Sequence, residues 1–473
     1  MVNDFKGNKV RQFLCVITTC LAIGVFSPAA QPQNAEPIVE PGKEPLIRPM
    51  AAPASKMQLT NFYYLSHDSR SMTRGGSMVI TDGIITSIDD VVIPCPGCDF
   101  LDLEGGFLIP GLMDLHQHLN VGGFAKESVE QKLAILKRDL YWGITTVYNP
   151  NIKLPLLAAV RQATAKNPSG YPTVFAAGQN IGVPGGWGDK SVSTYVEFKN
   201  AATLQLAGGA DNIKVSMDDM SWLSSTPMAQ FPGQLLNQAV QLMHANGRRL
   251  FLHASQAKDV KTALDAGVDV ILHGTVDTAL DRETLSRLAA KQIGYISTLA
   301  LSETISDVRK SVAMQRSFDP DLINGALLYD NLDSDLMATN WRDWWDKSYL
   351  LAQKLPILRG NTLALIKAGG LVGIGTDAGT PSIIFGASLP YEMVLHEQLG
   401  LSPLAVIRMA SYNNARILKI EDHTGSIEVG KEADLVLLRK DPTNSIRAIN
   451  STEWAMQNGV ITYRREHTTG AGN

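Results

Sequence analysis

The stretch FLIPGLMDLHQHLN, Phe107 to Asn120, decides how the rest of the chain is read. It is an apolar run that ends in His116 and His118, and residues i and i+2 of a strand face the same way. Two imidazoles at one strand end therefore aim at one point in space, a geometry suited to a metal ion. A His-x-His pair can equally be a strand end with ordinary hydrogen bonds, so the flanking sequence has to separate the two readings.

Outward from that pair, the middle of the chain alternates short β-rich runs with helical stretches. The strand-like runs are LIPGLMDLH, TTVYN, TVFAAG, NIKVSM, RLFLH, VDVILHG, YISTLAL and LVGIGTD. Helical periodicity falls between them, as in Val129 to Tyr141, Leu235 to Asn246 and Ala279 to Lys291. Eight such units over about 300 residues predict an α/β fold, a (β/α)8 TIM-like barrel over 111–417, with its active site at the C-terminal strand ends. The connection after the seventh strand, Ser302 to about Leu355, is long and holds WRDWW at Trp341 to Trp345. Helices covering the barrel mouth are expected there.

Both flanks are rich in β signals. MVITDGIITSI places Asp82-Gly83 at a tight hairpin, and WAMQNGVITYR does the same with Asn458-Gly459. The segments 57–110 and 418–466 are expected to pair into one small β-sandwich, with a tail at 467–473. At the N-terminus Lys6, Lys9 and Arg11 precede an apolar run from Phe13 to Phe26 and the small residues Ser27, Ala29 and Ala30. This reads as a signal peptide over 1–29, too short in its apolar run to span a bilayer. A lipid anchor at Cys20 fits poorly, because Thr19 stands before it where a small residue is needed. Recurring prolines from Pro32 to Pro53 make 30–56 an extended tether.

A periplasmic or secreted protein follows, with no stable membrane insertion once the signal is removed. Cys95 and Cys98, spelled CPGC, are the cysteines left outside the signal and are expected to close a small structural disulfide loop. A thioredoxin-like redox role would need a βαβ context that this segment lacks. Of 473 residues, 45% are hydrophobic and 19% charged, and the net charge of -4 comes without a basic block. That composition is globular, excludes a nucleic-acid partner as the expectation, and points to a small-molecule substrate. Assembly into a homo-oligomer stays open.

The polar residues at the strand ends carry the chemistry. His116 and His118 end strand one, Lys214 lies in strand four, His253 ends strand five, His273 ends strand six and Asp377 ends strand eight. Singly each is a weak signal, but five strands deliver them to the same mouth. Imidazole and carboxylate are ligands of Zn²⁺ and similar ions, and this set exceeds what one tetrahedral ion with an open position needs. Two divalent metal ions are the natural count. No Asp or Glu occupies the strand-four position to bridge them. Lys214 can do so if its deprotonated amine adds carbon dioxide to form a carbamate.

DLHQH, NIKVSM, FLHAS, VILHG and GIGTDAG, in that order and spacing, resemble the amidohydrolase superfamily. The spelling is most similar to its binuclear branch of Xaa-Pro dipeptidases and imidazolonepropionase-like hydrolases. HTGSIEVGKEADLVLL, His423 to Leu438, also matches the segment that re-enters the β-sandwich in that family, and the resemblance runs from about Met57 to Arg464. It implies His116, His118 and Asp377 on a more buried α metal, His253 and His273 on a β metal, and carbamylated Lys214 between them, with Zn²⁺ the expected ion.

The activity it implies is hydrolysis of a C-N bond, amide or peptide-like, by a hydroxide bridging the metals. Asp377 is expected to be ligand and acid/base together, passing a proton to the departing amine. A lactonase, esterase or phosphotriesterase using the same site is the alternative chemistry. A non-catalytic ligand-binding barrel is a remoter one, against which Asp377 beside a metal pair argues.

One departure from the family concerns the loop after strand three, where Gly-Gly-His-Gly is usual and Gly185-Gly186-Trp187-Gly188 stands here. An indole neither binds metal nor carries charge. Trp187, Trp222 in the strand-four loop and Trp341 in the strand-seven connection, with Trp344 and Trp345, are candidates to border the mouth. A substrate with a sizeable apolar part, such as an N-acyl amino acid or dipeptide-like compound, is expected. His396, within LPYEMVLHEQLG, is expected to pack or lie at the surface, and His244 near a helix C-terminus suits the helix dipole. Tyr295 and Arg342 are candidates to meet a substrate carboxylate.

Overall fold

The computed structural model describes residues 56–67, 71–120, 127–223, 226–318, 348–380 and 382–464. The expected signal peptide, the expected tether up to residue 55, Trp341, Arg342, Trp344, Trp345 and the C-terminal tail lie outside the described residues.

Four strands come first: β1 (Lys56–Tyr64), β2 (Thr73–Thr81), β3 (Ile84–Asp89) and β4 (Asp99–Pro110). Asp82 and Gly83 join β2 to β3 with φ of 51° and 79°. Two successive positive φ values are what a two-residue hairpin needs to match strand twist, and Asp-Gly tolerates them. Cys95 and Cys98 form a disulfide in the turn that leads into β4, where Cys98 N also donates to Cys95 O at 3.1 Å.

The middle strands are β5 (Leu112–Asp114), β6 (Ile144–Asn149), β7 (Thr173–Ala176), β8 (Ile181–Gly182), β9 (Lys190–Ser191), β10 (Ile213–Ser216), β11 (Leu250–His253), β12 (Val270–Leu272), β13 (Gly294–Ile296) and β14 (Val372–Gly373). All pair in parallel, β5-β6-β7 in one sheet and β14-β13-β12-β11-β10-β8-β9 in another. Single parallel bridges, Ala177 with Asn212 and Gln117 with Ala378, join the two sheets at both seams. The result is the (β/α)8 barrel, with β8 and β9 as additions in the loop after its third strand. β14 is only two residues long, so side chains supplement its ladder: the Asn414 amide donates to Met113 O (2.8 Å) and Ile374 O (2.9 Å) and accepts from Ile374 N (2.9 Å).

The helices around the barrel are α1 (Val129–Tyr141), α2 (Leu154–Lys166), α3 (Tyr195–Ala207), α4 (Gly233–Ala245), α5 (Ala257–Ala266), α6 (Arg282–Lys291), α7 (Leu299–Ser306), α8 (Val308–Arg316), α9 (Ser348–Lys367) and α10 (Ser388–Gln398). α1 has the bounds its periodicity predicts, with Ser128 and Gln131 forming a capping box. α6 starts three residues later than the pattern suggests, because the Asp281 carboxylate accepts from Thr284 N and so sets the first turn. YISTLAL is the clearest departure: only Gly294–Ile296 is strand, and a helix begins at Leu299. Among the described residues no helix is long and apolar enough to cross a membrane.

The chain ends in β15 (Leu435–Leu438), β16 (Thr452–Gln457) and β17 (Val460–Arg464). They join the first four strands in the order β17-β16-β15-β4-β1-β2-β3, with Leu437 opposite Leu108 across the antiparallel β15–β4 seam. Backbone bonds from Ile85 N to Lys431 O and from Ala433 N to Gly83 O fold the β2–β3 edge back onto the approach to β15. The sandwich so formed encloses Leu59, Phe62, Met78, Leu435, Trp454 and Met456, each 1% exposed or less.

Candidate metal centre

The first two histidines come from the end of β5, which is stitched to the end of β14 by backbone bonds. Leu115 N donates to Ile374 O (3.1 Å), Asp377 N to His116 O (2.7 Å) and His118 N to Ala378 O (2.7 Å). Asp377 has φ 66°, which turns its carboxylate back over the strand ends. Gly379, at φ 97°, passes so near His118 O that a Cβ would collide with it, which explains the glycine of GIGTDAG.

The three side chains meet at one point. His116 Nε2 and His118 Nε2 are 3.2 Å apart, and Asp377 Oδ1 lies 3.5 and 3.0 Å from them. The histidine rings continue in a chain: His116 and His273 centroids are 4.7 Å apart, those of His273 and His253 4.2 Å. Lys214, 2% exposed, lines the same cleft as His118, His253, His273 and Asp377. His273 has φ 73°, and its Nδ1 is 3.0 Å from Thr298 Oγ1, a partner that fixes the ring.

Burial governs the electrostatics. It lowers the basicity of His116 far below the ordinary imidazole range, helped by Lys214 and the other histidines. His253 and His273 are lowered in the same way, His253 with help from Lys214 and His273 with help from His253 and Lys214. These three rings are therefore neutral, with lone pairs free to ligate. Burial also brings the Lys214 amine down to about 8, against the opposing pull of Asp377 and Asp189. A shift of that size is roughly 3 kcal/mol against the ammonium.

These residues fit metal ions on an observation of their own. Among buried side-chain atoms without a hydrogen-bond partner are Nδ1 of His116 and His118, both ring nitrogens of His253, and Asp377 Oδ1. Buried polar atoms are ordinarily paired. Asp377 Oδ1 sits where the Nε2 atoms of His116 and His118 converge, and His116, His118 and Asp377 offer ligand atoms all within 4.8 Å of one another.

Behind the ligands the supports are saturated. Asp114 Oδ1 accepts from His116 N (3.1 Å) and Thr376 N (3.0 Å), and Oδ2 from Thr376 Oγ1 (2.7 Å) and Gln117 Nε2 (3.1 Å). Burial still wins over these bonds and pushes Asp114 up to about 6. Asp218, just beyond β10, accepts from Met220 N (2.7 Å), Ser255 N (3.1 Å) and Trp222 Nε1 (3.1 Å), and its Oδ2 lies 3.7 Å from His253 Nε2.

A cleft of about 760 Å³, open mouth included, lies over the ligands. Trp187 and Trp222 both line it, as do Met220, Val276, Leu301 and Ile305. Trp341 lies outside the described residues. Tyr295 does not reach the cleft: wholly buried in the barrel, its hydroxyl accepts from Thr275 N at 2.7 Å and donates to Thr275 Oγ1. That placement removes Tyr295 from the candidates to meet a substrate carboxylate. His396 packs internally, 0% exposed, with Nε2 3.3 Å from Ser297 Oγ. His244 closes α4 and pairs with Asp269 at 3.0 Å.

Asp218, Thr298 and the α7 residues were not picked out by sequence reasoning. Asp218 carried a signal, a carboxylate at a barrel strand end in NIKVSMDD. Leu301 and Ile305 carried none, because apolar residues read as strand or core.

Comparison with known proteins agrees with this geometry. An imidazolonepropionase from Phocaeicola vulgatus is 23% identical over 77% of this chain and 85% of its own length. The crystal structure of a Xaa-Pro dipeptidase with bound methionine in the active site superposes with a TM-score of 0.71 at 23% identity, covering 87% of this chain and all of that one. A putative prolidase from Bifidobacterium longum gives a TM-score of 0.69 at 22% identity, covering 87% and 96%. The profile of the amidohydrolase family matches residues 107–461. The chain belongs to the amidohydrolase family and is a metal-binding hydrolase of carbon–nitrogen bonds.

Proposed function

We propose that this protein is an exported amidohydrolase with a two-metal site, acting on an N-acyl amino acid or dipeptide-like amide that has an apolar part. The observation that carries the reading is the convergence of buried ligand atoms of His116, His118 and Asp377 at one point. His253, His273 and Lys214 belong to the same set through the cleft they share. Two divalent cations, Zn²⁺ being the expected pair, would supply an activated water and polarise the scissile carbonyl.

The chain's own residues do the rest. Asp377, pinned by its own N–H to His116 O and by Thr380 Oγ1 donating to its carbonyl at 2.7 Å, takes the proton of the attacking water. It returns that proton to the departing amine, which leaves neutral. Lys214, its amine lowered to about 8, is partly unprotonated near neutral pH. Its nitrogen can add carbon dioxide, forming an N–C bond and releasing a proton to solvent, and the resulting carbamate would offer the metal ions a carboxylate ligand. Trp187, Trp222, Leu301 and Ile305 exclude water and hold the apolar part of the substrate.

Export is supported by the basic, apolar and small-residue order of residues 1–29 and by the Cys95–Cys98 disulfide, a bond kept in oxidising compartments. The relatives named imidazolonepropionase and Xaa-Pro dipeptidase support a C-N bond as the target. The test is metal analysis of the mature protein coupled to initial rates on N-acyl amino acids, dipeptides, a lactone and a phosphotriester at one enzyme concentration. Two metals per chain and fastest turnover of an apolar N-acyl amino acid are expected. Faster turnover of the lactone or phosphotriester would replace this reading.

A further inference from the structure

Helix α7 lacks a cap of its own. Thr298 stands before it at φ 45° and makes no side-chain bond to the first turn. The free N–H groups of that turn are taken instead by a residue 93 positions away. Glu392, in α10 and 0% exposed, accepts from Leu299 N at 3.0 Å with Oε1 and from Ala300 N with Oε2. Two carboxyl oxygens at a helix N-terminus satisfy its orphan donors.

What α7 carries makes the cap consequential. Leu301, Ser302 and Ile305 occupy one face of the helix and line the cleft. Thr298, immediately before the cap, orients His273. The opposite face is held too, where Glu303 pairs with Arg359. α10 itself follows the loop that delivers Asp377, and ties on to the same region through His396 to Ser297 and through Tyr391 to Ser311 at 2.9 Å.

We propose that Glu392 is a specificity-determining positioning residue: by capping α7 from another element, it fixes the wall of Leu301, Ser302 and Ile305 against the apolar part of the substrate. The inference rests on the reading of the cleft as the site of amide hydrolysis. It goes beyond it by assigning substrate selection to a side chain that never touches the substrate.

The test compares a phenylacetyl amide with the acetyl amide of the same amine, in wild type and Glu392→Gln. The carboxamide keeps one acceptor and turns an NH₂ toward a backbone N–H, so one bond is lost. KM for the phenylacetyl compound is expected to rise about tenfold with kcat kept, while the acetyl compound is unaffected, in line with the cost of misfitting an apolar pocket. Equal losses on both compounds, or a loss confined to kcat, would overturn the proposal. If the glutamine variant is insoluble, Glu392→Asp is expected to show a smaller loss, again selective for the larger acyl group. Leu301→Ala, with Glu392 intact, is expected to reproduce the selective loss, and an unchanged preference there would equally overturn it. If wild type cleaves neither amide, the reaction assignment fails. The wall is then read by titrating both amides against the tryptophan emission of the same proteins, where Glu392→Gln must weaken only the larger one.

Discussion

Around one cleft, the ends of β5 and β14 and the wall contributed by α7 are held in opposite ways. At the strand ends the backbone does the positioning: Asp377 N to His116 O and His118 N to Ala378 O are main-chain bonds between adjacent strands. The side chains are left over, and their ligand atoms face one another. In the wall the relation is reversed. Side chains do the positioning, Glu392 onto the first turn of α7 and Asp218 onto Trp222, and the surfaces they present are apolar or neutral. On the proposed reading, chemistry sits where backbone ladders hold the chain and selectivity on parts tied to it by side-chain contacts, as expected where one scaffold serves many substrates.

That contrast breaks in a definite order if the roles are as described. Asp377→Asn should cost most, about 10³-fold in kcat, with metal retained, since the proton relay is removed and the backbone bonds are not. Retained kcat with the asparagine would place the acid/base elsewhere. Lys214→Ala should lose one metal by elemental analysis and most of the rate, with partial recovery on adding a short-chain carboxylic acid. Two metals and full rate in that variant would rule out the bridge.

The wall should answer through stability and KM. Burial holds His396 down at about 4, so its neutral form stabilises the fold above the ordinary imidazole pKa of 6.5 and that contribution is lost as pH falls toward 4. Denaturant melts between pH 6.5 and 5 should show about 2 kcal/mol more acid destabilisation in wild type than in His396→Gln. Equal slopes would mean that His396 does not titrate with unfolding. Smallest of all, Trp222→Phe keeps the ring and removes the indole bond to Asp218. It should raise KM about fivefold for an apolar substrate, the worth of roughly 1 kcal/mol, and leave kcat alone.

Much of this was legible in the chain. The eight barrel strands lie where the β-rich runs are, and both hairpins fall on Asp82-Gly83 and Asn458-Gly459, where all four residues have positive φ. Such features depend on local chemistry, so a short window suffices to see them. The direction of Tyr295 stayed open and YISTLAL was misread for the complementary reason. A tyrosine hydroxyl in an apolar run can face either way, and its bonds with Thr275 N and Oγ1 hold it in the barrel. Strand propensity across Ser297 to Leu301 is overridden by Glu392, whose carboxylate caps a helix there from far along the chain.

The sequence by itself determined the candidate metal centre as a set of polar side chains at barrel strand ends, since residue type and period place them there. Only the tertiary structure decided what surrounds it. Asp114, Asp218 and Glu392 act through bonds to groups that lie 262, 37 and 93 positions away. No local pattern encodes such partners, because they become neighbours only when the barrel closes and burial obliges each polar group to find one.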